Sequence, residues 1–175
     1  MHKKSILIIV AIAVLGVLFY LGVNVILKVK EKNQIAKKLQ TIPEFELLTL
    51  KQRPFNNANL KLNLNTIFIY FNSECDFCQH EAQSISDNLD SFKNVQFIFV
   101  SMEPIETIKQ FSEQYKLNNQ QNVKFLYDNN TTFSSRFDAN SIPYTLIYNQ
   151  NQKLIKKHKG QLDAKGIIRA LQEND

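Results

Sequence analysis

The chain has only two cysteines, and they stand three residues apart in Cys75-Asp76-Phe77-Cys78. Thiols at that spacing can close a disulfide with each other or exchange one with a partner, because a thiolate attacks a disulfide sulfur through a mixed-disulfide intermediate. Their context favours this chemistry. The apolar run Thr66-Ile67-Phe68-Ile69-Tyr70-Phe71 precedes the pair, and Ala82, Ile85, Leu89 and Phe92 follow it at helical spacing. A dithiol between a strand and a helix meets the positive end of the helix dipole, which favours thiolate. The first sulfur of such a pair is the more exposed, so Cys75 is expected to attack and Cys78, covered by the helix turn, to resolve. A zinc site would need two further ligands, with only His2, His80 and His158 on offer, and no metal is expected. The bland alternative is a pair of inert core thiols.

The elements that must hold these thiols can be read from periodicity. Residues 45–50 alternate partly like a strand, and residues 52–55, with Pro54, suit a turn. Residues 66–71 and 95–100 are apolar enough to be buried central strands. Pro104 suits the first turn of a helix whose Ile105, Ile108, Phe111 and Tyr115 share one face. A short strand is expected at 123–127, a short helix at 131–137, and a strand at 144–148. The polar hairpin turn 149–152 leads to a strand over 153–159, and Asp163 is a plausible N-cap for a last helix carrying Ile167, Ile168 and Leu171. This alternation predicts an α/β domain over 42–175, a central sheet with helices on both faces. Thirteen Phe and six Tyr supply an aromatic core.

Ahead of the domain, residues 5–27 are apolar except for Ser5, Tyr20 and Asn24. As a helix this stretch spans roughly 34 Å, enough to cross a hydrocarbon core of about 30 Å. It is longer than the apolar region of a cleaved signal peptide and ends in a lysine-rich segment, so it reads as an uncleaved transmembrane anchor. Residues 28–41, with Ile35 and Leu39 at helical spacing, read as a stalk. Much of the net charge of +5 lies on lysines around the apolar stretch, which points to membrane flanks, and no nucleic-acid partner is expected. Lysines 28, 30, 32, 37 and 38 outnumber Lys3 and Lys4, which counted literally would place the domain in the cytoplasm. A short N-terminal tail and a redox domain, which belongs where disulfides form, favour the extracytoplasmic side of the membrane.

Several features together resemble a known family. They are Ile42-Pro43-Glu44-Phe45, the strand before Cys75-Asp76-Phe77-Cys78, Glu81, Ser141-Ile142-Pro143-Tyr144-Thr145 and Gly160. Over roughly residues 42–173 the chain is similar to the membrane-tethered thioredoxin-like thiol–disulfide oxidoreductases of bacteria, the TlpA/ResA type within the redoxin (AhpC/TSA) superfamily. The resemblance implies a thioredoxin-like three-layer sandwich with a central mixed sheet, preceded by the single transmembrane helix. It implies that Pro143 is cis beside the dithiol, leaving the backbone of Ile142 open to an extended substrate strand. It also implies that Glu81, one turn beyond Cys78, lies near the dithiol and assists proton transfer. Asp76 and Phe77 would help set the redox poise. Phe77 and Tyr144, with Ile142 and Pro143, are expected to form a substrate-binding rim, whereas Phe71 suits the core. The tryptophan usual near the dithiol is absent, Glu74 standing in that place, and the intervening pair lacks proline.

The expected activity is exchange of disulfides with extracytoplasmic proteins. Glu74 and Asp76 put negative charge beside Cys75, disfavouring a second anion there, which leans toward a reductant or isomerase over a strong oxidant. No cofactor is expected beyond the redox-active Cys75–Cys78 disulfide. Expected partners are disulfide-containing or dithiol proteins and an upstream membrane thiol reductant or oxidant. The alternatives are a redoxin-type thiol peroxidase, which would ordinarily carry a Pro/Thr-rich approach to its cysteine, and a noncatalytic membrane-tethered binding module.

Overall fold

A computed structural model describes the backbone of residues 2–173 and their side chains, except those of residues 2–14 and 17. The chain divides into two compact units, residues 1–38 and 39–175. The helix α1 (His2–Leu39) makes up the first and ends at the first residue of the second; it runs through residues 5–27 and most of the segment 28–41. Its side chains from Leu18 through Leu21 are exposed, as are Val25, Ile26 and Leu27. Among the described residues, no helix is long and apolar enough to cross a membrane, and the side chains of 5–14 and 17 in the expected span lie outside the described residues.

The second unit is built on seven strands: β1 (Glu46–Thr49), β2 (Pro54–Asn56), β3 (Asn65–Tyr70), β4 (Val95–Ser101), β5 (Val123–Tyr127), β6 (Tyr144–Tyr148) and β7 (Leu154–Lys159). They form one mixed sheet in the order β2-β1-β5-β4-β3-β6-β7. The apolar strands occupy its centre, with β3, β4 and β5 parallel and β6 antiparallel to β3. Between the parallel strands run α2 (Asp76–Asp87) and α3 (Ile105–Gln114). Right-handed crossovers in one direction put both helices on the same face of the sheet. α5 (Ala164–Gln172) joins them there, started by Asp163, whose carboxylate accepts from the Gly166 N–H at 2.8 Å. The other layer holds α4 (Thr132–Phe137).

Strand alternation divides the core between these layers. Ile67, Ile69, Phe97 and Phe99 pack with Ala82, Ile85, Phe111 and Ile167 of the three helices. On the opposite face, Phe68 meets Phe45, Phe133, Phe137 and Tyr148 with ring centroids 5.1–6.0 Å apart. Each such buried ring contributes roughly 1.5–3 kcal/mol, so a core without tryptophan is well supplied.

Two local details differ from the sequence reading. Residues 52–55 hold a turn and also begin a strand. Gln52 takes the left-handed conformation (φ 57°) inside a Thr49–Arg53 hairpin, and Pro54 opens β2 at the sheet edge, where a missing N–H costs no ladder bond. Pro104 lies just outside α3 as its N-cap residue.

Candidate active site

The carboxyl ends of β3 and β4 and the start of β6 lie at one edge of the sheet, because Tyr70 is paired with both Val100 and Tyr144. The dithiol is built there. After β3, Asn72 organises the turn: its side-chain oxygen accepts from the Glu74 N–H at 2.9 Å and its carbonyl from the Cys75 N–H at 3.2 Å. The Cys75 carbonyl then accepts from the N–H groups of Cys78 (2.9 Å) and Gln79 (3.0 Å), opening α2. Cys75 is therefore the N-cap residue, and its side chain makes no capping bond to the helix. Cys75 is half-buried and Cys78 is 2% exposed, both as free thiols. This is the asymmetry expected of an attacking and a resolving sulfur.

The electrostatics sharpen that division. Burial pushes the Cys78 thiol well above its ordinary range. A hydrogen bond from the Asn72 backbone opposes the shift, whereas a hydrogen bond to Cys75 and the charge of Glu81 add to it. Cys78 thus holds its proton until another group takes it.

Glu81 is the carboxyl whose charge reaches that thiol. One turn along the buried face of α2, it is 0% exposed. The Thr145 hydroxyl donates to its Oε1 at 2.8 Å, and the Leu162 N–H to its Oε2 at 3.3 Å. Burial raises its pKa from the ordinary 4.5 to about 7, against these two hydrogen bonds and with a small further push from Asp163. A carboxyl poised near neutrality one helical turn from a high-pKa thiol is suited to proton exchange.

Opposite the dithiol, the Ile142–Pro143 bond is cis, as the resemblance implies. Pro143 is buried, and its carbonyl accepts from the Gly160 N–H at 2.9 Å. Ile142 is 42% exposed, and its backbone N–H and C=O have no hydrogen-bond partner among the described residues. Phe77, in the first turn of α2, is 60% exposed, and Met102, just beyond β4, is exposed as well. Tyr144 does not join this rim. Alternation along β6 turns Thr145 toward α2 and Tyr144 toward the other layer, where its ring is fully buried and its hydroxyl donates to the Phe137 carbonyl at 2.8 Å. Tyr144 is a core residue, and the expected rim is corrected to that extent. Phe71 is likewise core, against Phe111 at 4.5 Å. Glu74, Asp76 and His80 are exposed, which leaves the two acids beside Cys75 largely screened.

Sequence reasoning passed over Glu103. Its carboxylate accepts from the Ser73 N–H (2.7 Å), the Ser73 hydroxyl (2.6 Å) and the Ser101 hydroxyl (3.0 Å), tying the turn before Cys75 to the end of β4. The available signal was positional: an acid directly after the strand that neighbours the dithiol strand. Among the described residues no group of His, Cys, Asp and Glu side chains is arranged to hold a metal ion.

Comparison with known proteins extends this geometry. Residues 39–159 match the AhpC/TSA family. A secreted Mycobacterium tuberculosis disulfide oxidoreductase homologous to E. coli DsbE is similar in structure with a TM-score of 0.62 and 19% identity, covering 78% of this chain and 98% of that one. The peroxidoxin BcpB from the same organism gives 0.65 and 15%, covering 77% and 96%. A thioredoxin-like protein from Aeropyrum pernix gives 0.62 and 11%, covering 83% and 97%. At these identities the likeness is one of fold, and the fold is thioredoxin-like, α/β with a central mixed sheet. No curated protein matches the sequence.

Proposed function

The chain belongs to the AhpC/TSA family, and from that premise we propose that it is a membrane-tethered thiol–disulfide oxidoreductase of the TlpA/ResA type, acting on extracytoplasmic proteins as a reductant or isomerase. One arrangement carries the reading: a half-buried Cys75 at the N-cap position of α2, a buried Cys78 behind it whose thiol burial pushes above its ordinary range, and a buried Glu81 whose pKa is raised to about 7 one turn further on. Cys75 thiolate attacks a partner disulfide, forming a mixed disulfide and releasing the first partner thiolate. Cys78 gives its proton to Glu81 and attacks the Cys75 sulfur, releasing the second partner thiolate and closing Cys75–Cys78. The partner disulfide gains two electrons and becomes two thiols as it takes up two protons, one of them supplied through Glu81. A membrane thiol reductant then restores the dithiol.

Phe77 and Ile142 form the apolar rim on which an extended client segment docks, hydrogen-bonded to the free backbone groups of Ile142. The test uses the full-length reduced protein against a protein disulfide, a small-molecule disulfide and hydrogen peroxide. Protein disulfide is expected to be the preferred oxidant, and Phe77→Ala to lower kcat/KM for it by about tenfold, equivalent to losing roughly 1.4 kcal/mol of apolar contact. The small disulfide is expected to be unaffected by that substitution. Preferential turnover of peroxide would establish the thiol peroxidase reading instead.

Tethering rests on the 23-residue apolar segment 5–27. Within it Asn24 directs its amide to the Tyr20 carbonyl one turn back, at 2.8 Å, which keeps part of that polar group satisfied by the helix itself. The full-length chain is expected in the membrane fraction, resistant to carbonate extraction, with a reporter after Asp175 active on the extracytoplasmic side. Recovery of the intact chain in the soluble fraction overturns the tether.

A further inference from the structure

Glu103 lies outside the dithiol motif, yet its contacts converge on the turn that carries Cys75. Ser73, two residues before Cys75, is held from two sides. Its N–H and hydroxyl both donate to the Glu103 carboxylate at 2.7 and 2.6 Å, and its carbonyl accepts from the Gln79 side chain, in the first turns of α2, at 2.8 Å. Glu103 is fixed in turn by Ser101, whose hydroxyl donates to the carboxylate at 3.0 Å and accepts from the Glu103 N–H at 3.2 Å. Ser101 is buried at the end of β4 and is paired with Tyr127 in the sheet. A charge-assisted clamp therefore connects a rigid central strand to the loop bearing the attacking cysteine. Hydrogen bonds to a carboxylate are roughly twice as strong as neutral ones.

We propose that Glu103 is a positioning residue for the dithiol, holding the Ser73 turn so that Cys75 and Cys78 are preorganised to close their disulfide. The inference rests on the exchange chemistry proposed above. The reason is entropic. In the disulfide, the covalent ring constrains the Cys75 turn whether or not Glu103 is present. In the dithiol, noncovalent contacts supply that constraint, and the clamp is the strongest of those that reach Ser73. Releasing it frees the reduced state more than the oxidised one, so the equilibrium moves toward the dithiol, just as loop constraints set the stability of any cross-link.

The experiment measures the dithiol–disulfide equilibrium of the full-length protein in glutathione buffers, by acid quench and alkylation, together with thermal unfolding of both redox forms. Glu103→Ala is expected to shift the equilibrium constant toward dithiol by about fivefold or more, with the oxidised form losing more thermal stability than the reduced form, as the cycle linking folding and disulfide closure requires. Glu103→Gln offers a carbonyl to the Ser73 N–H and an amide to the serine hydroxyls, and is expected to stay within about twofold of wild type. If Glu103→Ala destabilises both redox forms equally and leaves the equilibrium constant unchanged, Glu103 is a structural residue only and the proposal is overturned. If Glu103→Gln shifts the equilibrium as far as Glu103→Ala, charge and not the clamp is responsible, and the proposal is again overturned. A wild-type protein that never forms the disulfide overturns the exchange chemistry itself.

Discussion

Cys75→Ser abolishes exchange down to the buffer background, whereas Cys78→Ser completes one attack and stops. The two substitutions are alike in size and chemistry, so a structural role would make them alike in effect. They differ because only Cys75 is accessible to a partner, while Cys78 is 2% exposed and its thiol is held protonated by burial. A serine at 75 has no sulfur with which to form a mixed disulfide. A serine at 78 cannot release one already formed. Equal yields of mixed disulfide from the two variants, measured in a single turnover of the reduced protein against a protein disulfide, are the result this account cannot accommodate. The noncatalytic alternative predicts that neither substitution matters.

Glu81→Gln makes the protein more stable and slower. Glu81 is fully buried, and its pKa rises from 4.5 in an exposed setting to about 7 in the fold. Between those values the folded protein holds a proton that the unfolded chain has lost, so stability falls as pH rises through that window. The cost is absent below about pH 4.5 and complete above about pH 7. At about 1.4 kcal/mol per pKa unit it amounts to about 3 kcal/mol. Glutamine carries no charge, and its amide can meet the same two partners, accepting from Leu162 and donating to Thr145 once that hydroxyl rotates. Thermal unfolding of the variant is therefore expected to lose this pH dependence and to show higher stability at pH 8, with no gain at pH 4.5. Exchange is expected to slow on the order of 10²-fold at neutral pH, the lower end of what a positioned acid–base group contributes. The wild-type rate of the resolving step rises as pH passes through about 7 and Glu81 becomes able to accept a proton. That rise is expected to vanish in the variant. A variant that is both unstable and fast would remove Glu81 from the mechanism.

The site was legible where chemistry is written in local patterns. Cys75-Asp76-Phe77-Cys78 between an apolar strand and a helical stripe placed the thiols at the start of α2, and the family resemblance singled out Glu81 one turn beyond them. The strands at 123–127 and 144–148 fall where apolar runs end in polar turns. Asp163 caps α5 because a short acid directly before an apolar stripe has few other uses. Contacts between segments distant in sequence were not legible. Tyr144 follows the cis proline and looks like part of its rim, yet one step of strand alternation turns it to the far layer. Glu103 meets Ser73 only because β4 lies beside β3 in the sheet. The short strand β2 was hidden by its own proline, which reads as a turn until it is placed at an edge.

The central claim is that Cys75 exchanges disulfides with other proteins and that Cys78 resolves the product. The most direct measurement expresses full-length Cys78→Ser in a bacterium, quenches with acid, alkylates free thiols and separates the proteins without reductant. The account predicts discrete higher-mass species that collapse on reduction, are absent when Cys75 is also replaced by Ser, and contain extracytoplasmic proteins disulfide-bonded through Cys75. A Cys78→Ser protein that runs only as free monomer, with Cys75 fully alkylated under conditions where other extracytoplasmic disulfides persist, would contradict it.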